Sequence, residues 1–396
     1  MFSRKSVSGI SQSSDRKYII LFSIVTFFFW ASLYLYMPIL PVYAQSIGAS
    51  LTMVGAIVSA YAIPQMLFRI PVGMLFDAIS RRKFLIAGGL LMNSLGALGM
   101  GLAPGALLLF LARGVTGIGA AMWVTFTVYF AAYYPMEGMK KAIGIINFIQ
   151  GAALVITTYC GGIIAEAGGY KYTFFGAALL GVVAMAALLP TREPTIRPVK
   201  QSARQSFLFV AGCPLLLVVS FMGVLAQFAN WAGLFGFIPV YGAQIGASSA
   251  DLGIITMLAL GASAVAALTV IPLVKRRGNS FTIMLGAVLM GSAIAITPLL
   301  HQVSLLQGLM VIYGLGRGIL GTILMSLSIQ AVDPQQRATA MGIYQAVYAV
   351  GMFLGPFVSG SLADNFGIAT VFYLSAFFCL VVAGMAYLPI IFKQSA

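Results

Sequence analysis

The ionisable side chains of this 396-residue chain limit the chemistry that it can do. Its eight acidic residues are Asp15, Asp77, Glu137, Glu166, Glu193, Asp251, Asp333 and Asp364. Nothing in the sequence pairs a nucleophile with a base, and no Walker loop, nucleotide fingerprint or metal-ligand cluster is present. The sequence therefore predicts a protein that is not an enzyme and that uses no metal ion or cofactor.

Three arginines, Arg69, Arg113 and Arg317, lie inside long apolar runs, where a charge is costly. No acid falls at a comparable depth, so these guanidinium groups must donate to carbonyls, hydroxyls, water or a bound anion. We expect Arg113 and Arg317 to bind substrate or to couple its movement to an ion. A structural tie to backbone carbonyls is the alternative for Arg113, and Arg69 is predicted to belong to a gate.

Aromatic and amide side chains in the same runs could line a cavity for an apolar or planar molecule. All three tryptophans lie well inside these runs, on predicted segments 1, 4 and 7. Core packing and hydrogen bonding between helices are the alternative roles. The candidates are Trp30, Tyr34, Trp123, Asn147, Gln227, Asn230, Tyr344, Gln345 and Tyr348, with Trp231 as the third tryptophan.

The apolar runs that position these residues are typical of a membrane protein. The chain is 61% hydrophobic and 8% charged, with a mean hydropathy of +1.01, whereas roughly a quarter of a soluble domain is charged. About 20 apolar residues cross a bilayer as a helix, which satisfies its own backbone. The sequence predicts an all-α protein with segments 1 to 12 at 18–43, 51–76, 84–102, 106–133, 142–165, 172–189, 215–241, 252–274, 281–300, 305–331, 338–362 and 368–391.

The basic residues lie almost entirely on one side of these segments. The formal net charge is +14, which in a soluble protein would suggest nucleic acid as a partner. Here, apart from Lys171 and the three intramembrane arginines, the lysines and arginines fall in the tails, the central linker and the loops that follow even-numbered segments. The positive-inside rule therefore places both termini in the cytoplasm. We expect the protein to lie in a plasma (inner) membrane. The expected partners are the bilayer and a small molecule, and we expect a functional monomer.

The chain repeats itself at an offset of 198 residues. The tripeptide Pro-Val-Tyr at 41–43 recurs at 239–241, and the same offset pairs Asn147 with Gln345 and Glu166 with Asp364. Two such halves suggest a path between them that opens alternately to each side as the halves rock. The predicted organisation is a cytoplasmic tail (1–17), a six-helix bundle (18–189), a linker (190–206), a second six-helix bundle (207–391) and a C-terminal tail (392–396).

The two intramembrane arginines do not occupy equivalent positions in this repeat. Aligning Arg317 with Arg113 needs an offset of 204, whereas Gly314-Leu315-Gly316 aligns with Gly117-Ile118-Gly119 at 197. The second register needs the smaller gap and pairs Arg317 with Ala120. It predicts that Arg317 lies about two helical turns deeper than Arg113.

Several motifs resemble those of the major facilitator superfamily. The loop after segment 2, Gly73 to Lys83, is similar to the family signature G-x-L-x-D-R-x-G-R-R/K. Arg113 to Ala120 resembles the R-x-x-x-G-x-G-A motif of the twelve-helix drug:proton antiporter branch, and Pro38 to Pro41 resembles its P-x-x-P. The resemblance implies the two-bundle fold of that family, and a gate formed by Gly73, Asp77, Arg81 and Arg82 with Arg69 beside them.

These observations favour a secondary active transporter that exports small hydrophobic or amphiphilic compounds in exchange for protons. A carboxylate in the middle of a segment is absent, so protons would have to move on Glu166, Asp77, the substrate or water. The unpaired arginines favour an alternative, a carrier for an organic anion or an anionic lipid. A membrane sensor that transports nothing is the third hypothesis.

Overall fold

The structure is a computed structural model that describes residues 8–79, 81–135, 138–194, 210–330, 332–333 and 336–392. The regular elements of these residues are helices, without a strand. Segments 1 to 6 consist of Ser8–Tyr34 with Leu40–Ser46, Leu51–Ser59 with Ala62–Ala78, Arg82–Leu102, Ala106–Ala121 with Trp123–Ala131, Met139–Gly168, and Tyr170–Leu188. Segments 7 to 12 consist of Pro214–Ala232 with Gly233–Phe237 and Ile238–Gln244, then Ser249–Ile296 (segments 8 and 9), Val303–Gln330, Arg337–Phe366, and Ala369–Met385 with Pro389–Phe392.

Ten of the described helices are long and apolar enough to cross a membrane. One of them, Ser249–Leu299, has 51 residues and contains two predicted segments, which separate at Gly278, where φ is +78°. The remaining predicted segment is the shorter apolar helix Ala369–Met385. The predicted all-α fold with twelve segments in two pseudo-symmetric bundles is confirmed.

Some boundaries differ from the prediction. The first helix begins at Ser8, within the predicted tail 1–17, whereas its membrane-crossing part begins at Arg16. Polar residues can continue a helix beyond the bilayer, where water satisfies their side chains, so hydropathy does not reveal this extension. Most of the predicted linker 190–206 and of the tail 392–396 lies outside the described residues.

Two helix breaks occur at equivalent places in the repeat. Segment 1 leaves helical geometry at 35–39, and segment 7 forms a π-helix over Gly233–Phe237, which is 198 residues later. Each break precedes one of the equivalent prolines Pro41 and Pro239, which cannot donate a backbone hydrogen bond to the residue four positions earlier. The breaks place Tyr34 and Phe235 beside each other across the two halves, with ring centroids 5.9 Å apart.

We use "distal end" for the end of the bundle with the loops 47–50, 166–169, 245–248 and 364–367, and "proximal end" for the end with residues 79–83 and 189–194. The two halves cross closely near the distal end. A Cβ atom on Gly55 would overlap the carbonyl oxygen of Pro356, and one on Gly162 would lie 2.8 Å from the Cα of Gly253. Small residues allow such close helix crossings. Segments 2 and 11 and segments 5 and 8 therefore form two equivalent crossings.

The glycine contacts within each half confirm the predicted register of segments 4 and 10. Gly117 packs against the carbonyl of Tyr61, and Gly314 packs against the carbonyl of Ala259. The two carbonyl residues, Tyr61 and Ala259, are 198 residues apart, and the two glycines are 197 residues apart. Arg317 therefore corresponds to Ala120, about two helical turns along its helix from the position of Arg113.

The close contact of segment 5 with segment 1 yields a stability test. A Cβ on Gly161 would overlap the carbonyl oxygen of Leu35, whereas one on Gly151 meets nothing within 4 Å. We expect Gly161→Ala to lower the thermal unfolding temperature in detergent, at a cost of about 1–3 kcal/mol from overpacking. Gly151→Ala, on the same helix, should be neutral or stabilising by up to about 1 kcal/mol. Equal unfolding temperatures for both variants would contradict this contact.

Candidate functional site

Arg113 is fully enclosed by the chain's own side chains, with 1% of its surface exposed. Its Nη1 donates to the Tyr36 hydroxyl at 2.8 Å and to Thr116 Oγ1 at 3.3 Å, and its Nη2 contacts Met37 Sδ at 3.0 Å. The guanidinium carbon also lies 4.3 Å from the ring centroid of Tyr61. Ring faces attract a cation and partly replace a counter-ion. Arg113 thus joins segment 4 to segments 1 and 2.

Arg317 is only partly buried and is held from one side. Its Nε donates to Asn230 Oδ1 at 2.9 Å and its Nη1 donates to Ser263 Oγ at 2.8 Å. The Tyr313 hydroxyl donates to the same Asn230 oxygen at 3.0 Å, and Asn230 Nδ2 donates to Gln227 Oε1 at 3.0 Å. Among the described residues, none accepts a hydrogen bond from the third nitrogen, Nη2. The network therefore fixes the guanidinium and leaves one edge free.

The two arginines lie closer in depth than their backbone positions suggest. Asn230, the partner of Arg317, corresponds in the repeat to Ser32, which is four residues before Tyr36, the partner of Arg113. Four residues span about 6 Å along a helix. The Arg317 side chain therefore lies roughly one helical turn nearer the proximal end than the Arg113 side chain. The backbone positions of the two residues alone predict a separation of two turns.

Neither guanidinium has an acidic partner within the described part of the chain. The described acids that make hydrogen bonds do so at segment ends, to backbone N–H groups in every case and also to the side chains of Thr52 and Gln307. The centre of the described bundle therefore carries positive charge without a carboxylate. Hydroxyls, an amide, a thioether and aromatic faces take the place of a counter-ion.

An aromatic bridge, defined as Trp30, Tyr34, Tyr61, Trp231 and Phe235, joins the halves beside the arginines. Tyr61 of segment 2 stacks on Trp231 of segment 7 at 5.4 Å, and Trp231 contacts Phe235 at 4.9 Å. Phe235 contacts Tyr34, and Tyr34 contacts Trp30 at 5.7 Å between ring centroids. Tyr61 also contacts the Arg113 guanidinium, and Trp231 directly follows Asn230, which accepts a hydrogen bond from Arg317. The bridge therefore connects the surroundings of the two cations.

Some of the other predicted cavity residues pack beside this centre, and two of them, Asn147 and Gln345, do not contact the arginines. Trp123 packs against Trp30 at 5.0 Å, which extends the bridge into segment 4. Tyr344 and Tyr348 form an edge-to-face pair on segment 11, with ring centroids 5.2 Å apart. Gln345 is partly exposed and Asn147 is exposed, and no hydrogen bond joins either of them to the arginines.

Several residues of the site were not among the sequence candidates, including Met37, Thr116 and Tyr313. Four more are Tyr36, Tyr61 and Ser263, which contact the arginines, and Phe235, which belongs to the aromatic bridge. The repeat offers a signal for one of them, because Ser263 corresponds to the polar residue Gln65. The others are aromatic residues in aromatic-rich helices, where composition alone does not separate binding from packing.

The basic residues after segment 2 attach to segment 6 of the same half. Lys83 Nζ donates to the carbonyls of Leu189 at 2.6 Å and Thr191 at 2.7 Å, and the backbone N–H of Arg82 donates to the Glu193 carboxylate. A lysine at free helix-end carbonyls is a stabilising arrangement. Arg81 is exposed. These contacts join two segments of one half to each other.

The other predicted gate residues lie on the helix Ala62–Ala78. Arg69 is buried and donates from Nη2 to Gln65 Oε1 at 2.6 Å, while its Nε and Nη1 have no partner among the described residues. Its side chain therefore stays in the bundle. The structure describes the backbone of Gly73 and Asp77 as part of this helix. The burial and contacts of these two residues lie outside what the structure describes.

The fold and these motifs can be compared with known proteins. The family model of the Major Facilitator Superfamily matches residues 22–244 and 219–395. The chain belongs to the major facilitator superfamily. An uncharacterized MFS-type transporter, MJ1560 of Methanocaldococcus jannaschii, is 26% identical over 371 residues, which cover 89% of this chain and 93% of the relative. Multidrug resistance protein 1 of Bacillus subtilis is 24% identical over 345 residues, covering 83% of this chain and 85% of that protein.

A solved structure shares the fold. A bacterial homolog to the human lysosomal transporter Spinster, in an inward-facing and unoccupied conformation, superposes with a TM-score of 0.82 at 16% identity, covering 96% of this chain and 98% of the other. As a member of the major facilitator superfamily, the protein is a multi-pass membrane protein and a secondary transporter, and not an enzyme. The predicted family and class of function are confirmed.

Two equivalent distal clamps hold the halves of this superfamily member together. Asp364 of segment 11 accepts hydrogen bonds from the backbone N–H groups of Leu51 at 3.0 Å and Thr52 at 2.7 Å, at the start of segment 2. Glu166 of segment 5 accepts them from Ser249 at 2.8 Å and Ala250 at 3.4 Å, at the start of segment 8. The acids are 198 residues apart, as are Leu51 and Ser249. A carboxylate at a helix N-terminus stabilises the contact through free N–H groups and the helix dipole.

The enclosure of Arg113 can be tested at Tyr36. Tyr36→Phe removes the 2.8 Å acceptor of a buried guanidinium, and we expect a loss of about 1–3 kcal/mol, read as a lower unfolding temperature in detergent. Tyr43→Phe is the matched control, since the Tyr43 hydroxyl is buried without a partner among the described residues. That variant should unfold at the wild-type temperature or above. Equal losses in both variants would show that the Tyr36 hydroxyl does not support Arg113.

The distal clamps predict a conformational effect of neutralising their acids. We expect Glu166→Gln combined with Asp364→Asn to favour opening of the distal end. If each charge contributes about 1 kcal/mol, the equilibrium shifts by roughly 30-fold. Spin labels on the exposed residues Lys171 and His301, after replacement of the native cysteines, would report a new population at longer distance.

A third acid provides the control for this measurement. Asp251 accepts hydrogen bonds from Ser248 and Gln307, both within its own half. Asp251→Asn should therefore leave the label distances unchanged. The clamps would be refuted by a double variant whose distance distribution matches that of the wild type.

Proposed function

We propose that this transporter exports small amphiphilic molecules by alternating access. One observation carries the proposal: polar and aromatic side chains converge where the two halves meet, while two equivalent clamps close the distal end. Such a site becomes accessible from the other side when the halves rock about it. The name of the Bacillus subtilis relative, a multidrug resistance protein, supports a substrate of this class.

We place the proximal end and both termini in the cytoplasm, and the protein in the plasma (inner) membrane. The support is the charge distribution, because the exposed basic residues near the ends of segments 2, 5, 8 and 11 are proximal, among them Arg81, Lys141, Arg276 and Arg337. The bacterial-type positive-inside bias acts on short loops of this kind. With this orientation, the distal-closed arrangement takes up molecules from the cytoplasm.

One chain is proposed to be the functional unit, with bundles at 18–189 and 207–391 as its two moving bodies. The support is that both members of each distal clamp come from the same chain. A second copy is therefore unnecessary for closing the path.

Coupling to protons is proposed from the segment 4 motif, Arg113 to Ala120, which resembles that of drug:proton antiporters. No described acid contacts Arg113 or Arg317. A proton would therefore cross on Glu166, on Asp77, on the substrate or through water. The coupling is thus a separate claim from transport itself, and it needs its own measurement.

Transport can be tested in proteoliposomes with amphiphilic dyes of positive, neutral and negative charge. We expect protein-dependent movement of at least one dye, accelerated by a pH gradient. A cleavable cross-link between Glu166→Cys and Ala250→Cys should stop this flux, and reduction should restore it, because the distal end must open. Each single-cysteine variant, treated in the same way, is the control.

The possible results separate the hypotheses. Flux that ignores the pH gradient would refute proton coupling and leave export standing. Flux that survives complete cross-linking would refute alternating access through the distal end. If no dye moves and one of them nevertheless alters the Lys171–His301 label distance, the sensor hypothesis is favoured over transport.

A further inference from the structure

We propose that Arg317 binds the anionic group of the transported molecule, a carboxylate, sulfonate or phosphate, and that the aromatic bridge holds its apolar part. The proposal rests on the export function and names its substrate class. It also assigns different roles to the two central arginines: Arg317 contacts the substrate, and Arg113 is a structural cation.

The first argument is the way in which Arg317 is held. Asn230 and Ser263 accept hydrogen bonds from Nε and Nη1, and Asn230 is itself fixed by Tyr313 and Gln227. All of these residues belong to one half, so the guanidinium keeps its orientation while the halves move. A donor that is fixed before the ligand arrives loses little conformational entropy on binding.

The second argument is the unsatisfied edge of this group. Nη2 of Arg317 has no acceptor among the described residues, and the side chain is partly exposed, unlike that of Arg113. A guanidinium matches a carboxylate, sulfonate or phosphate and forms charge-assisted hydrogen bonds with it. A cationic substrate would meet the same unpaired positive charge and be repelled.

The third argument is the contrast with Arg113. Its guanidinium is stacked near Tyr61 and Tyr36, and its two Nη atoms already have partners. Its Nε has no partner among the described residues, but it is buried. Because Arg113 is fully buried, an anion could reach it only if the surrounding side chains moved. In the distal-closed arrangement Arg317 is therefore the cation that is accessible.

The fourth argument is the proximity of aromatic rings. Trp231 of the aromatic bridge directly follows Asn230, which accepts a hydrogen bond from Arg317, and it contacts Phe235. The rings of the bridge are buried against one another, and the indole N–H of Trp30 is buried without a partner among the described residues. A planar molecule with its anionic group at Arg317 would thus place its apolar body next to this aromatic cluster and a spare donor.

Binding of a matched panel to the purified chain in nanodiscs tests the proposal. The probes are naphthalene carboxylate, naphthalene sulfonate and naphthyl phosphate, with naphthalene carboxamide as the neutral isostere and naphthylmethylamine as the cation. We expect at least one anion to bind about tenfold or more tightly than the amide, as a charge-assisted hydrogen bond provides. The amine should bind more weakly than both.

Four forms of the protein are compared. Arg317→Gln should abolish the preference for the anion, and Arg317→Lys should retain part of it because the charge remains. Arg276→Gln, the same change at an exposed proximal arginine, should behave as the wild type. If Arg317→Gln does not fold, the wild-type preference and its reduction in Arg317→Lys decide the matter.

The source of the anion is distinguished by repeating the binding in nanodiscs with and without phosphatidylglycerol. Competition by this lipid would identify a lipid headgroup as the ligand. If the lipid does not compete, the ligand is a soluble organic anion. Equal affinity for anion and amide, a preference that survives Arg317→Gln, or no binding by any anion would overturn the proposal. In those cases, movement of neutral or cationic dyes in proteoliposomes would show that export stands while the substrate class is wrong.

Discussion

A guanidinium group keeps its charge inside an apolar bundle, and the centre of this protein is arranged around that constraint. With no carboxylate in contact, Arg113 is held by two hydroxyls, a thioether and two tyrosine rings, while its Nε has no hydrogen-bond partner among the described residues. One of these rings, Tyr61, is in turn stacked on Trp231 of the opposite half. Neutralising a buried cation with aromatic faces therefore also determines how the two halves meet.

The acids act at the edge of the same structure. Glu166 and Asp364 each bind the start of a helix that belongs to the other half. Each acid accepts hydrogen bonds from backbone N–H groups that would otherwise lack partners. Glycine crossings beside them bring the backbones close enough for such short side chains to reach. The repeat thus provides two copies of one contact, and closure of the distal end depends on both.

Sequence predicted the framework better than it predicted the centre. Hydropathy and the 198-residue offset located the segments, and the glycines of segments 4 and 10 fixed their register, because helix crossings require small residues at definite positions. The partners of Arg113 did not follow, since Tyr36 and Met37 lie in the turn at 35–39 before Pro41, where α-helical periodicity does not predict which side chains face the neighbouring helices. Asn147 and Gln345 show the converse, because their polarity and repeat equivalence do not bring them to the arginines.

The attachment of the two central cations has an electrical consequence. Tyr36, Met37, Tyr61 and Thr116, which contact Arg113, all belong to the first half, whereas Asn230 and Ser263, which hold Arg317, belong to the second. If the halves rock as rigid bodies, each cation therefore moves with its own half and keeps its partners. The membrane potential acts on any fixed charge that moves across the bilayer, so the energetics of the cycle would depend on voltage even if no ion were co-transported.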